Sequence, residues 1–328
     1  MRVLVVGAGA MGSMFGGLLE QSGNHVTLLD QNKDHIDAIQ AKGLRLLHPD
    51  GTVQFSQVEA TTSAIGIAPV DLVLVLTKSF STRAAVSAVT NSITDSTMVL
   101  TVQNGLGNDQ VLSEVVGPEK VLGGTTTAGA KLIEPGMTQL SPITAEGKSL
   151  TEFSFISTLN DPSPSALQHA ESIAAVLTAS GLPARLATSV SVVVWTKLCL
   201  AATAAPLTAL LRCTVEDLIN TPATQRIMRD VFDEIVSVAH AEGVHLDADS
   251  VWHHLMSVFS AVGPHLTSMA VDVSLGRQTE IDSMSIEISR RGTRHGIKTP
   301  LNDSIGRLIM AIQEITMMQT AEPRTHQK

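Results

Sequence analysis

The chain opens Met1-Arg2-Val3-Leu4-Val5-Val6-Gly7-Ala8-Gly9-Ala10-Met11-Gly12, and the reading of these residues decides the fold. Arg2 to Val6 is an apolar, β-branched run of strand length. A glycine-punctuated turn follows, and Ser13 to Gln21 has helical character. In a strand–turn–helix setting a G-x-G-x-x-G pattern carries meaning. Gly7 allows a tight turn, Gly9 lets the backbone approach a pyrophosphate, and Gly12 lets helix and strand pack closely. The N–H groups that open the helix, with the positive end of its dipole, suit phosphates. Gly7, Ala8, Gly9, Ala10, Met11 and Gly12 are therefore expected to bind a dinucleotide.

A second apolar run, His25 to Leu29, ends in Asp30. An acid there, roughly 20 residues after the glycines, accepts hydrogen bonds from the adenosine ribose and repels a 2′-phosphate. The following residues are Gln31, Asn32 and Lys33, with no arginine among them. NAD(H) is the expected cofactor and NADP(H) the alternative.

The rest of the chain supports an α/β reading. Lys33 to Lys42 has helical spacing, and Pro49-Asp50-Gly51 joins two strand-like runs, Leu44 to His48 and Thr52 to Val58. Asp71 to Leu76, Thr97 to Val102 and Lys120 to Thr125 are continuous apolar strands, and Ser79 to Thr90 looks helical. Alternating helices and apolar strands mean a doubly wound parallel sheet. Ligands of such sheets lie at the carboxyl ends of the strands, where Thr77, Lys78, Asn104 and Gly105 fall. Ala128 to Ser157 is less regular, with short antiparallel strands expected about Pro135-Gly136. A helix over Pro164 to Ser180 and a strand over Ala184 to Leu186 follow. Beyond Thr188 the character changes to helices: Ser189 to Ala204, Val215 to Ala241, Asp247 to Ser260, Gln278 to His295 and Asn302 to Thr320. The expected organisation is an N-terminal dinucleotide-binding domain, 1–187, then an all-helical domain, 188–328, with a loose polar tail from Ala321.

Bulk properties exclude several classes. With 328 residues, 44% hydrophobic and 16% charged, the chain can bury two cores. A formal charge of -9 argues against a nucleic-acid partner. Cys199 and Cys213 sit in apolar surroundings and read as buried thiols, and no metal-ligand spacing occurs. The first strand begins at Met1, leaving no room for a signal peptide. The apolar window Val192 to Leu211 holds Lys197 and Pro206, so it reads as a core helix and not a membrane span. A cytoplasmic protein is expected.

Two residues of the helical half invite chemistry. Lys197 is the only charge between Ser189 and Arg212, in Val-Val-Val-Trp-Thr-Lys-Leu-Cys-Leu. Burial there lowers an ammonium pKa toward a range useful in proton transfer. A lysine whose stem lies on the core while its head reaches water fits the same pattern. Glu280 precedes Ile281, Met284 and Ile288, which are expected as a buried stripe on one helix. Taken alone, Glu280 is better explained as a plain helix-start carboxylate.

Taken in order, the glycine turn, Thr77-Lys78, Gln103-Asn104-Gly105-Leu106-Gly107, Trp195-Thr196-Lys197-Leu198 with Pro206-Leu207-Thr208, Ser268-Met269, Thr279-Glu280-Ile281-Asp282, His295-Gly296-Ile297 and Pro300 resemble the ketopantoate reductase family. That family includes 2-dehydropantoate 2-reductases and NAD-dependent D-2-hydroxyacid dehydrogenases of the D-mandelate type. The resemblance spans almost the whole chain. It implies a Rossmann domain, a helical domain, a homodimer and a small 2-oxo or 2-hydroxy acid as substrate. Lys197 matches the family's catalytic lysine, which protonates the carbonyl oxygen as hydride reaches carbon. Glu280 matches the acid that positions this lysine or the substrate. Asn104 matches the asparagine at the nicotinamide end, Lys78 a lysine near cofactor and substrate, and Ser268 a hydroxyl that binds the substrate carboxylate.

The departures from the pattern point to the substrate. Ala201 and Ala205 stand where the family usually has two asparagines. Ser285-Ile286 replaces an Asn-Gly, and Ser283 replaces an aromatic residue. Alanine cannot hydrogen-bond a hydroxyl, so discrimination in favour of the pantoate hydroxyl is lost. With Asp30 these differences point to an apolar 2-oxo acid reduced with NADH. A ketopantoate reductase using NADPH, a reductase of an imine or other carbonyl, and a non-catalytic NAD(H)-binding sensor are the alternatives.

Overall fold

A computed structural model of the chain describes residues 1–141, 150–156 and 162–321. The expected loose tail beyond Ala321, and parts of the irregular segment after Ala128, lie outside the described residues. The described chain divides into two compact units. One comprises Met1–Gln103 with Gly107–Val193, and the other Asn104–Leu106 with Val194 onward.

The first unit is built on β1 (Arg2–Val6), α1 (Ala10–Gln21), β2 (His25–Leu29), α2 (Lys33–Lys42), β3 (Leu44–Leu47), β4 (Val53–Ser56), β5 (Glu59–Thr61) and β6 (Leu72–Val75). It continues with α3 (Thr82–Ala88), β7 (Met98–Thr101), α4 (Asn108–Val116), β8 (Val121–Thr126), β9 (Ala130–Glu134), β10 (Met137–Leu140), β11 (Thr151–Phe155), α5 (Pro164–Ala179) and β12 (Ala184–Leu186). The main sheet runs β12-β11-β8-β7-β6-β1-β2-β5. Its pairs are parallel except β11 on β8. This is the expected Rossmann arrangement. The continuous apolar strands have a direct cause. In β1, Val3 and Val5 face one core while Leu4 and Val6 face another, and in β6 Leu72 and Leu74 divide from Val73 and Val75 in the same way. A sheet covered on both faces needs apolar residues at every position. The Pro49-Asp50-Gly51 turn does join antiparallel strands, β3 and β4, and these lie in a second, smaller sheet ordered β4-β3-β10-β9. Glycines let α1 lie close on its neighbours, since a Cβ at Gly17 would stand 2.9 Å from the Leu46 side chain.

The second unit is helical: α6 (Val190–Leu211, whose first turn counts with the first unit), α7 (Val215–Asn220), α8 (Pro222–Ala241), α9 (Ala248–Val262), α10 (Ser268–Ser274), α11 (Ser285–Arg294) and α12 (Pro300–Ala321). Several of these differ from the sequence expectation. The expected helix to Ala204 runs on to Leu211 through Pro206, with Ala202 through Ala209 all buried. Packing on both sides of the proline outweighs the roughly 3 kcal/mol that it costs a helix. The expected single helix Val215 to Ala241 is two helices. Pro222 forces Thr221 to an extended ψ of 118° and begins α8, while Thr214 and Asp217 form a capping box on α7. Helix α10 was not expected.

By length and composition α6 could cross a membrane. Trp195, Leu198 and Cys199 instead lie in one core with Phe232, Ile235, Leu255 and Ile288, which is the packing of a core helix. Burial pushes the Cys199 thiol up to about 12, so it packs as a small apolar group.

Candidate active site

The glycine turn of the first unit does what its sequence implies. Gly7 has φ +96°, and a Cβ there would lie 2.6 Å from the Thr77 backbone nitrogen. Its N–H donates to the Leu29 carbonyl at 2.8 Å, tying the turn to the end of β2. A Cβ at Gly12 would overlap the Gly7 carbonyl, so α1 can rest on the turn only with glycine there. Gly9 is different. It is exposed, has an ordinary φ of -60°, and a Cβ on it would meet no protein atom within 4 Å. Nothing in the fold itself demands glycine at that position. A ligand lying against the backbone would. The first turn of α1, Ala10 to Gly12, has no side-chain cap and no acidic residue, which leaves its N–H groups for an anion.

Asp30 sits beside this turn. Its Oδ2 accepts from the Ala8 N–H at 2.7 Å and its Oδ1 from the Asn32 N–H at 2.8 Å. The carboxylate is thereby oriented, and each oxygen keeps a lone pair for a ribose hydroxyl. The donor set fits a dinucleotide: uncapped amides at the phosphate end and an oriented acid at the ribose end.

At the carboxyl ends of β6 and β7 the sequence reading missed a tie. The Gln103 Nε2 donates to the Thr77 carbonyl at 2.6 Å and to the Thr82 Oγ1 at 2.9 Å. This fixes Thr77 and the start of the Lys78 segment. A glutamine between a strand and a glycine loop carries no sequence signal of that role. A surface cleft of about 630 Å³, lined by Arg2, His25 and Glu59, opens at the amino ends of β1, β2 and β5, the opposite end from the glycine turn.

The remaining predicted residues all belong to the second unit. Asn104, Gly105 and Leu106 leave β7 and fold with the helices. The Leu106 N–H donates to the Ser283 carbonyl at 2.8 Å. Gly105 has φ +86°, and a Cβ there would come within 2.5 Å of the same carbonyl oxygen. Leu106 enters the core that holds Trp195, Leu198, Ile281 and Met284. One core therefore gathers the neighbours of Asn104, Lys197 and Glu280.

Glu280 itself corrects the sequence expectation. It does not start the helix over Gln278 to His295. It precedes a single 3-10 turn, Ile281–Ser283, and α11 begins only at Ser285, after Met284 with φ -112° and ψ -107°. The Ser283 carbonyl points to Leu106 and so does not bond along the helix. Ile281, Met284 and Ile288 are buried as expected, but not on one helix. Glu280 is 7% exposed, and its carbonyl accepts from the Ser283 N–H and Oγ at 3.1 and 3.0 Å.

Lys197 lies on α6 with Ala201 and Ala205 one and two turns along the same face. The lysine and Ala201 keep some opening to solvent, whereas Ala205 is buried. Among the described residues no hydrogen bond or ion pair reaches Lys197, and burial alone pulls its pKa below the ordinary 10.5. Ser268 is exposed at the first turn of α10. Its neighbour Thr267 ties this turn to α6 through a 2.7 Å bond to Thr208.

Comparison with known proteins places these features in company. Residues 3–146 match the family model described as ketopantoate reductase PanE/ApbA, and residues 190–313 match its C-terminal model. A 2-dehydropantoate 2-reductase of Halobacterium salinarum is 33% identical over 95% of this chain and 99% of its own. The ternary structure of a D-mandelate dehydrogenase with NADH and anilino(oxo)acetate is similar at TM-score 0.89 and 28% identity, over 97% of this chain and all of that one. A PanE/ApbA family ketopantoate reductase from Ralstonia eutropha is similar at TM-score 0.85 and 28% identity, over 97% of this chain and all of its own.

Proposed function

The chain belongs to the ketopantoate reductase family of NAD(P)-dependent oxidoreductases acting on CH-OH groups, and from that premise we propose that it interconverts an apolar 2-oxo acid and its D-2-hydroxy acid with NAD(H). The observation that carries this reading is the face of α6: an unpartnered lysine followed by Ala201 and Ala205. A hydroxylated substrate would find no hydrogen-bond donor or acceptor in those two side chains, and an apolar substituent would find a surface to cover.

In this reading residues 1–187 hold the dinucleotide and 188–328 the substrate, with Asn104 marking the nicotinamide end. Gly7 to Gly12 cradle the pyrophosphate and Asp30 takes the ribose. Thr77 and Lys78 border the cofactor. Bound NADH supplies the hydride. Lys197 Nζ holds the proton that the carbonyl oxygen receives, and takes it back in oxidation. Its depressed pKa makes that exchange cheaper than for a solvated ammonium. Glu280 positions Lys197 or the substrate, and Ser268 meets the substrate carboxylate. A cytoplasmic homodimer is the assembly we assign, on family resemblance. The identity to the Halobacterium enzyme favours a second reading, ketopantoate reduction with NADPH. The test is NADH and NADPH oxidation with ketopantoate beside a panel of branched and aromatic 2-oxo acids. Turnover of the panel with NADH supports the first reading, and preference for ketopantoate with NADPH replaces it. Dinucleotide binding with no turnover of any carbonyl would leave a sensor.

A further inference from the structure

We propose that His35 and Ser13 form a positioning relay that holds the glycine turn in its dinucleotide-binding shape, an inference that rests on the cofactor reading above. His35 is on α2 and 1% exposed, out of reach of any ligand. Four links run from it to the turn. The Gly136 N–H, at the bend between β9 and β10, donates to His35 Nδ1 at 3.0 Å. His35 Nε2 meets Ser13 Oγ at 3.0 Å. Ser13 Oγ donates to the Ala8 carbonyl at 2.8 Å, and the Ala8 N–H donates to Asp30 at 2.7 Å.

The direction of the relay is forced by its ends. A backbone N–H can only donate, so Nδ1 must be the bare nitrogen and Nε2 must carry the proton. Nε2–H then donates to Ser13, whose own proton goes to Ala8. Ala8 is thus gripped at its carbonyl by Ser13 and at its N–H by Asp30, so the peptide units on both sides of it are held. Gly9 follows directly, and its own carbonyl accepts from the Ser13 N–H at 2.8 Å. The relay works only while the imidazole is neutral, because a second ring proton on Nδ1 would face the Gly136 N–H donor to donor.

Burial favours the neutral ring against the groups around it. α1 presents Ser13 and the β9–β10 bend a backbone amide, neither of which titrates. Asp30, from the end of β2, is the charged group facing the ring, and it favours the imidazolium, as does the Ala8 backbone. Asp34 and Asp37 on α2 itself are exposed. Burial outweighs these influences and lowers the imidazole pKa from its ordinary 6.5. The sign follows. The relay is intact above 6.5 and is lost as pH falls through the lower folded value.

NADH binding to the full-length protein, titrated calorimetrically from pH 5 to 8, tests the relay. Wild type should bind tightly at pH 8 and lose affinity on acidification, up to about tenfold per pH unit below the folded pKa. Ser13→Ala cuts the relay by removing a single buried oxygen, and should bind about tenfold more weakly at pH 8, as expected when one hydrogen bond positions a site. Its residual affinity should have lost the acid dependence. His35→Gln keeps a non-titrating donor toward Ser13, and should restore affinity at pH 8 while flattening the profile. Wild-type affinity with a wild-type profile in Ser13→Ala, or an unchanged profile in His35→Gln, overturns the inference. Failure of wild type to bind NADH or NADPH at pH 8 overturns the cofactor reading and the relay with it. Binding with a flat profile overturns the relay alone.

Discussion

The N–H of Leu106 and the carbonyl of Ser283 are 2.8 Å apart donor to acceptor, and this bond joins the peptide of Asn104 to the turn of Glu280. Residues far apart in the chain thereby share one rigid corner. Gly105 makes the approach possible, because it alone has no side chain to set against the Ser283 carbonyl.

Gly105→Ala should break that corner. A positive φ costs a side-chain residue about 1–2 kcal/mol before any clash. The added Cβ would also lie within 2.5 Å of the Ser283 oxygen. Calorimetry should show Tm lower by roughly 5 °C or more, and kcat should fall with it. An unchanged Tm would mean the corner is loose.

Gly9→Ala should separate fold from ligand. Its Cβ enters open space at an ordinary φ, so Tm should stay within about 1 °C of wild type, as for other surface changes. Dinucleotide affinity should fall at least about tenfold, the equivalent of 1.4 kcal/mol. Wild-type NADH affinity in this variant would refute phosphate binding at the turn.

Lys197→Met should lose activity and gain stability. Removing a positioned proton donor costs about 10²–10⁴ in kcat. In wild type the folded state binds the Lys197 proton less tightly than the unfolded chain, so charging the amine opposes folding at pH values below 10.5. The variant should melt higher than wild type at pH 8, and the gap should close as pH approaches 10.5. For wild type, kcat/KM for reduction should decline as pH rises through the depressed pKa, since only the ammonium has a proton to give.

Ala201→Asn should shift specificity. The position keeps some solvent access, so a polar side chain is tolerated there. One new hydrogen bond to a substrate hydroxyl should raise kcat/KM for ketopantoate relative to an aromatic 2-oxo acid by about tenfold. Competition assays with both substrates measure the ratio, and no change would separate Ala201 from the substrate.

Asp30→Asn should relax cofactor choice. The amide keeps an oxygen for the Ala8 or Asn32 N–H but removes the charge that repels a 2′-phosphate. The NADPH to NADH ratio of kcat/KM should rise about tenfold or more. Steady-state assays with both cofactors give the answer.

Much of this protein is written in short stretches. Strand Arg2–Val6, the turn to Gly12 and Asp30 after β2 are local patterns, because side-chain period, turn geometry and helix starts depend on neighbours a few residues apart. Lys197 was visible for a similar reason: one charge in a long apolar run stands out whatever it packs against.

The tertiary structure decided what depends on distant partners. Glu280 looked like a helix start because nothing around it in sequence announces that Leu106 will take the Ser283 carbonyl and interrupt the helix. Pro206 lies inside α6, carried by packing that a local rule cannot weigh. His35 and Gly136 meet only because β10 pairs with β3, and Gln103 reaches Thr77 only because β6 and β7 are adjacent. Sequence alone determined the strands of the main sheet, most of the helices and which residues are candidates for chemistry. Hydrogen bonds closed across the fold determined how those residues are held, since such bonds depend on where the backbone returns and not on which residues are near in the chain.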